Sequence, residues 1–118
     1  MPVKPREILL GLHRMPSGGA NLASVLRMAV GMTSAYTYHN VQVVLYGEGV
    51  LCGLKQANGP WVNRYLKAAS AHKIPLFADR ESLTSRGFAP EDMAEAVSLI
   101  EPQDYLDKWR QAELHIRL

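Results

Sequence analysis

The stretch Val41–Leu54, VQVVLYGEGVLCGL, constrains the fold more than any other. It opens on an apolar run, Val43-Val44-Leu45-Tyr46, rich in β-branched and aromatic side chains and followed at once by glycines. A run this short and unbroken reads as a strand buried on both faces, because a strand with one wet face would alternate. Gly47 and Gly49 end it in a tight turn with Glu48 between them, and Val50, Leu51 and Leu54 continue as a short helical turn. Strand, glycine turn and helix start mark the carboxyl end of a parallel strand, the edge where open α/β sheets hold their ligands. The single cysteine, Cys52, falls in that first turn. Any chemistry of the chain's own thiol has to occur there.

The flanking sequence repeats the alternation of strand and helix. Glu7–His13, EILLGLH, is an apolar run between Pro5 and Pro16 and reads as the first strand. Arg14–Asn21, RMPSGGAN, reads as a loop from its Pro, Ser and Gly-Gly content. Leu22, Val25, Leu26, Ala29, Met32, Thr33 and Tyr36 then fall at helical spacing, predicting an amphipathic helix that ends near His39-Asn40. Asn58-Gly59-Pro60 is a stop and a restart, with Pro60 suited to the first turn of a helix whose apolar side is Trp61, Tyr65, Leu66, Ala69 and His72. Ile74–Ala78 reads as a third strand, and Asp79–Phe88 as a loop carrying one helical turn. Ala89–Ala96 reads as a short helix with acids in its first turn, and Val97–Ile100 as a fourth strand. Pro102–Arg110 is a predicted helix with Tyr105, Leu106 and Trp109 inward, and ELHIRL, residues 113–118, alternates as a final edge strand. Strands alternating with helices predict one α/β domain over residues 1–118, with a five-stranded, mostly parallel sheet covered on both faces.

Composition narrows the function classes. The chain has 118 residues, enough for a core, with 47% hydrophobic and 20% charged residues and a net charge of +2. That charge is mild and its Lys and Arg residues are scattered, so no nucleic-acid partner is expected. No apolar run reaches the roughly 18 residues of a membrane span, so no membrane partner is expected either. The N-terminal stretch has no signal-peptide pattern, and one cysteine makes no internal disulfide, so a reducing cytoplasm is the expected location.

Three places hold candidate chemistry. Cys52, placed at a helix N-terminus, would have a lowered thiol pKa and some nucleophilic character, against the alternative that it packs in the core as cysteines commonly do. Asp79, Ser82 and Arg86 follow a strand's carboxyl end, where Arg86 would hold an anion and Ser82 or Ser85 donate to it. The plainer account has Asp79 or Ser82 capping a helix. Ser17-Gly18-Gly19-Ala20-Asn21 lies between strand and helix and would offer backbone N–H groups to a phosphate or another anion. It matches neither glycine-rich nucleotide motif, and the Gly47, Glu48, Gly49 turn has Cys52 where a dinucleotide fingerprint needs its third glycine. The four histidines show no metal-ligand spacing; His13 ends the first strand beside the expected cleft. Neither a metal nor a cofactor is expected.

Two segments carry a family resemblance. VVLYGEGV, residues 43–50, ends a strand in a Gly-acid-Gly-Val turn. KAASAHKIPLFADRESLTSRGF, residues 67–88, runs helix, strand and a loop closing on Arg86-Gly87-Phe88. In this order and spacing the chain resembles the DsrE/DsrF family, which includes the TusBCD sulfur-relay subunits. The resemblance implies a three-layer α/β/α fold. It also implies assembly as homotrimers, hexamers or hetero-oligomers with other DsrE/F/H-like chains. Members that carry sulfur as a persulfide hold their cysteine at the end of the third strand, and the matching position here is Ala78. The resemblance therefore points to a binding or assembly subunit of a sulfur-relay system rather than the persulfide carrier. A sulfurtransferase-like enzyme using Cys52 is the first alternative, and a small-anion or nucleotide-binding module the second.

Overall fold

The computed structural model describes residues 5–14, 20–33, 39–55 and 60–118, with side chains from residue 22 in the first helix and residue 64 in the second. The elements run β1 (Glu7–Leu12), α1 (Ala20–Thr33), β2 (Asn40–Leu45), a 3-10 turn (Gly47–Gly53), α2 (Pro60–Ala71), β3 (Leu76–Asp79), α3 (Arg80–Ser85), a second 3-10 turn (Pro90–Asp92), β4 (Ser98–Ile100), α4 (Pro102–Gln111) and β5 (Leu114–Arg117). The five strands form one sheet in the order β4-β3-β2-β1-β5, and every pairing is parallel. All five carboxyl ends therefore lie along one edge. The expected strand ends at His13, Gly47 and Ala78 share it.

The period of two sorts the strand residues between two helical layers. Ile8, Leu10 and Leu12 of β1 and Val41, Val43 and Leu45 of β2 join Leu22, Val25, Leu26, Leu66 and Ala69 of α1 and α2 in the main core. Leu9 and Val44 point the other way and pack with Tyr105 of α4. Both central strands are thus apolar on both faces, which is why β2 shows no alternation. Each buried Leu or Val contributes on the order of 2 kcal/mol by leaving water.

The connections explain why the two faces differ. β1-α1-β2 and β2-α2-β3 step in one direction across the sheet, and α4 returns from β4 past β3, β2 and β1 to add β5 at the opposite edge. Right-handed crossovers running in opposite directions put their helices on opposite faces. α4 is consequently the helix that covers the Leu9–Val44 face. Pro102 opens it, the Asp104 carboxylate accepts from the Glu101 N–H at 2.9 Å, and Lys108 and Arg110 complement the dipole in its last turn. Lys108 also spans the face, donating to Gln42 at 2.9 Å and lying 4.2 Å from the Phe77 ring centre.

Four expectations need correction. Ala89–Ala96 is not a helix: only Pro90–Asp92 makes a 3-10 turn, and Met93 then forms a bridge to Leu54. Cys52 is not in the first turn of an α-helix, because the backbone after β2 is a 3-10 turn of seven residues in which Cys52 is next to last. On α4 only Tyr105 is buried, with Leu106 39% and Trp109 46% exposed. On α2, His72 is exposed while Leu66 and Ala69 carry the packing. Tyr36 and Tyr38 lie outside the described residues, as does the Trp61 side chain. Among the described residues no helix is long and apolar enough to cross a membrane.

The glycine turn is held against the end of β1. The Tyr46 N–H donates to the Leu12 carbonyl at 2.9 Å, and Gly47 turns the chain with φ +57. Gly49 lies so close that a Cβ there would run into the Leu12 carbonyl oxygen and carbon, both backbone atoms that cannot move aside. Gly49→Ala should therefore destabilise the protein by about 3 kcal/mol, as overpacking against backbone does. Gly31→Ala, where a Cβ meets nothing within 4 Å, should instead stabilise α1 by roughly 0.5–1 kcal/mol. Urea unfolding midpoints of the two variants should move in opposite directions.

Candidate functional site

The carboxyl edge of the sheet gathers its polar groups into two separate clusters. The first lies after β3. Asp79 caps α3, its Oδ2 accepting from the Ser82 N–H at 3.0 Å and from the Ser82 hydroxyl at 2.6 Å. The Ser82 oxygen in turn accepts from the Gly47 N–H at 3.0 Å, so this buried pair ties the β3 end to the glycine turn. Asp79 Oδ1 is buried with no hydrogen-bond partner among the described residues. Arg86 stands exposed at the end of α3, where Nη1 donates to the Ser82 carbonyl at 3.0 Å and the Ser85 hydroxyl at 3.4 Å. These residues cap, staple and close a helix. Ala78 is fully buried, its methyl turned into the main core.

Cys52 belongs to that same core. It is 1% exposed, and burial pushes its thiol up to about 11. The lowered pKa expected from a helix dipole is reversed, because a 3-10 turn presents Cys52 near its far end and desolvation disfavours the thiolate. Ser17, Gly18 and Gly19 lie outside the described residues, and Asn21 is described only as backbone in the first turn of α1.

The second cluster lies where β1 and β5 end. A depression of about 810 Å³ opens there, lined by His13, Arg14, Glu48, Arg117 and Leu118. Glu48 reaches it from the glycine turn and Arg14 from the loop after β1, whereas Asp79, Ser82 and Arg86 are not in its lining. Beneath it stands Tyr105, 4% exposed, its Oη 2.7 Å from His13 Nε2 and 3.1 Å from His115 Nε2. The single hydroxyl proton serves one of these contacts and an imidazole N–H the other, the direction being set by the histidine tautomers. Tyr46 and Trp109 complete an aromatic wall, 5.2 and 6.3 Å from the Tyr105 ring centre. Gly11 makes the room, since a Cβ on it would collide with the Tyr105 hydroxyl.

Electrostatics keep the His13, His115 and Tyr105 side chains uncharged. Burial first, and then the Arg117 charge, hold His13 and His115 below their ordinary pKa, and His115 adds to the effect on His13. Burial pushes the Tyr105 hydroxyl up to about 12, opposed in part by Arg117. Both imidazoles are therefore neutral near pH 7, with one donor and one acceptor nitrogen each.

Of this cluster, sequence reasoning singled out only His13 and Glu48. His115 and Arg117 carry a signal, because ELHIRL alternates and so places them on one side of β5. Which side depends on the pairing Leu9↔His115 and Gly11↔Arg117, a register that local sequence does not encode.

A pH dependence follows. Folded His13 and His115 bind a proton at lower pH than they do in the unfolded chain, where 6.5 is the ordinary value. Below that value the unfolded state holds more protons, so stability falls as pH drops. Urea midpoints taken at about pH 7.5 and about pH 5.5 should show the wild type losing stability at the lower pH, and a His13→Gln/His115→Gln variant losing less.

In backbone the chain is similar to two solved structures. The ychN protein from E. coli superposes with a TM-score of 0.79 at 16% identity, covering 96% of this chain and 99% of that one. MTH1491 from Methanobacterium thermoautotrophicum, a protein of unknown function, superposes with a TM-score of 0.71 at 15% identity, covering 98% of this chain and 100% of that one. Identities this low speak for the shared fold alone. None of the curated proteins matches the sequence. The model of the DsrE/DsrF-like family matches residues 13–118, which takes in every element after β1, and the chain belongs to that family.

Proposed function

We propose that this protein serves in sulfur relay as a binding or assembly subunit, and that the persulfide travels on another chain. The observation that carries this reading is the burial of Cys52, whose thiol is 1% exposed and pushed up to about 11. A persulfide carrier needs a thiolate that a donor can reach. The family resemblance puts the carrier's cysteine at the position of Ala78, whose methyl group is no nucleophile and faces the core. The reading includes assembly with further copies or with related chains. Leu106, Trp109 and Leu114 are exposed on α4 and β5, and Trp109 lies against His115 with ring centres 4.4 Å apart. Large apolar groups beside an edge strand suit an interface.

Intact mass after incubation with a polysulfide donor tests the reading. The folded wild type and Cys52→Ser should both keep their masses, and the wild type should gain sulfur only when urea exposes Cys52. Ala78→Cys should also stay unmodified while folded. Stoichiometric, reversible uptake at Cys52 in the folded wild type would overturn this reading in favour of a sulfurtransferase-like enzyme. Light scattering should give a trimer or a hexamer; a monomer at micromolar concentration would sink the assembly part of the proposal.

A further inference from the structure

The order of the strands reverses at β1: the chain first proceeds from β1 to β2, β3 and β4 on one side, and β5 later joins the other. α1 leaves β1 over one face, whereas α4 enters β5 over the opposite one. In open α/β sheets a crevice forms outside the carboxyl ends of the strands at such a reversal, and ligands occupy it. Here the depression of about 810 Å³ stands at that place, between the residues that follow β1 and those that end β5.

We propose that this depression is a binding site for a small oxyanion, held by Arg117 and Arg14 and oriented by the His13 ring. Two guanidinium groups line the site together with the Glu48 carboxylate and Leu118, whose backbone oxygen is taken up by the His13 N–H at 2.8 Å. Neither Arg14 nor Arg117 forms an ion pair with a carboxylate among the described residues. Planar guanidinium groups match the paired oxygens of a carboxylate, a phosphate or a sulfur oxyanion. His13 is neutral, and Tyr105 occupies its Nε2. With Tyr105 donating to His13 Nε2, the ring donor left to His13 is Nδ1–H, and the contacts His115–Tyr105–His13 hold the ring in rotation. Tyr105 is a positioning residue here, because its hydroxyl lies between the two histidines rather than on the lining of the depression. A cation is disfavoured, since Arg117 already depresses the protonation of both histidines. None of the residues used here is Ser17–Asn21 or Arg86. The site is also independent of whether the chain carries sulfur.

Among the described residues, the groups that face His13 are Arg14 beside it, Tyr46 beyond β2, Glu48 in the glycine turn, Tyr105 on α4, His115 and Arg117 on β5, and Leu118, whose backbone oxygen accepts from the His13 N–H at 2.8 Å. An anion bound among them offsets the Arg117 charge and raises the pKa of His13, so binding should tighten as pH falls towards the His13 value.

Histidine-ring NMR of the full chain tests this, titrating sodium thiosulfate and inorganic phosphate separately against sodium chloride at matched ionic strength. The ring signals of His13 and His115 should shift saturably while those of His39 and His72 stay put, and saturation should raise the pKa of His13. Arg117→Gln, an exposed change at an edge strand, should weaken binding at least about tenfold, the loss expected for a charged hydrogen bond. Arg117→Lys should restore part of it, and Glu48→Gln should tighten it. Tyr105→Phe should weaken binding and alter the tautomer balance of His13. Saturation by thiosulfate alone would specify a sulfur oxyanion, and saturation by both anions a general oxyanion site. Chloride reproducing the shifts, all four histidines shifting together, or Arg117→Gln binding as the wild type does would each overturn the proposal.

Discussion

The contact between Gly49 and the Leu12 carbonyl is the constraint on which the carboxyl edge depends. The Tyr46 N–H closes on the same carbonyl at 2.9 Å, so the turn after β2 is anchored on the end of its neighbour as well as by the Gly49 N–H on the Tyr46 carbonyl. Three consequences run from this anchor. Val50 and Cys52 are carried into the main core. The Gly47 N–H is presented to Ser82, which fixes the loop after β3. Glu48 is turned out over the end of β1, opposite Arg14 and Arg117. A side chain at position 49 would lift the whole turn and disturb all three.

The two sheet faces divide the labour of the fold. α1 and α2 cover one face with aliphatic packing, and the thiol sealed beneath them lies far above its ordinary pKa. The other face carries the polar machinery, because the ten-residue α4 sets its one buried side chain, Tyr105, between His13 and His115 at the carboxyl end of that face, with Arg117 beside them on β5. Burial that silences Cys52 thus keeps the two imidazoles neutral, the same physical cause acting on groups of opposite charge.

Local pattern carried most of the architecture. Every described strand and α-helix overlaps a segment identified from apolar period and punctuation, with ends shifted by one or two residues at Ala20, Asn40, Asp79 and Gln111, because core strands and amphipathic helices depend on interactions a few residues long. Where the reading went astray, the deciding contacts are distant in sequence. Ala89–Ala96 has acids at its start and reads as a helix, but Met93 is drawn into a bridge with Leu54. Trp109 reads as a core residue by its size, but the return of α4 across the sheet leaves it on the outer side. The site is less legible still. Asp79 as a cap follows from its place before a helix, whereas the meeting of His13, Tyr105 and His115 needs three elements from both ends of the chain.

That meeting has a kinetic side. Parallel pairing of β5 with β1 joins Ile8 to Leu114, and the Glu113 N–H bonds the Glu7 carbonyl at 2.8 Å. Closing a loop of this length costs conformational entropy that no local contact repays in advance. The sheet from β1 to β4 has shorter closures, so β5 is the strand whose docking is expected late, and as an edge strand of partly exposed residues it leaves most of the core covered when it departs. The Arg117 side of the depression leaves with it, and so does one of the two histidines that hold the Tyr105 hydroxyl. An anion bridging Arg14 and Arg117 would then act as a clasp between the first strand and the fifth, slowing amide exchange along β5 before it changed any other part of the molecule.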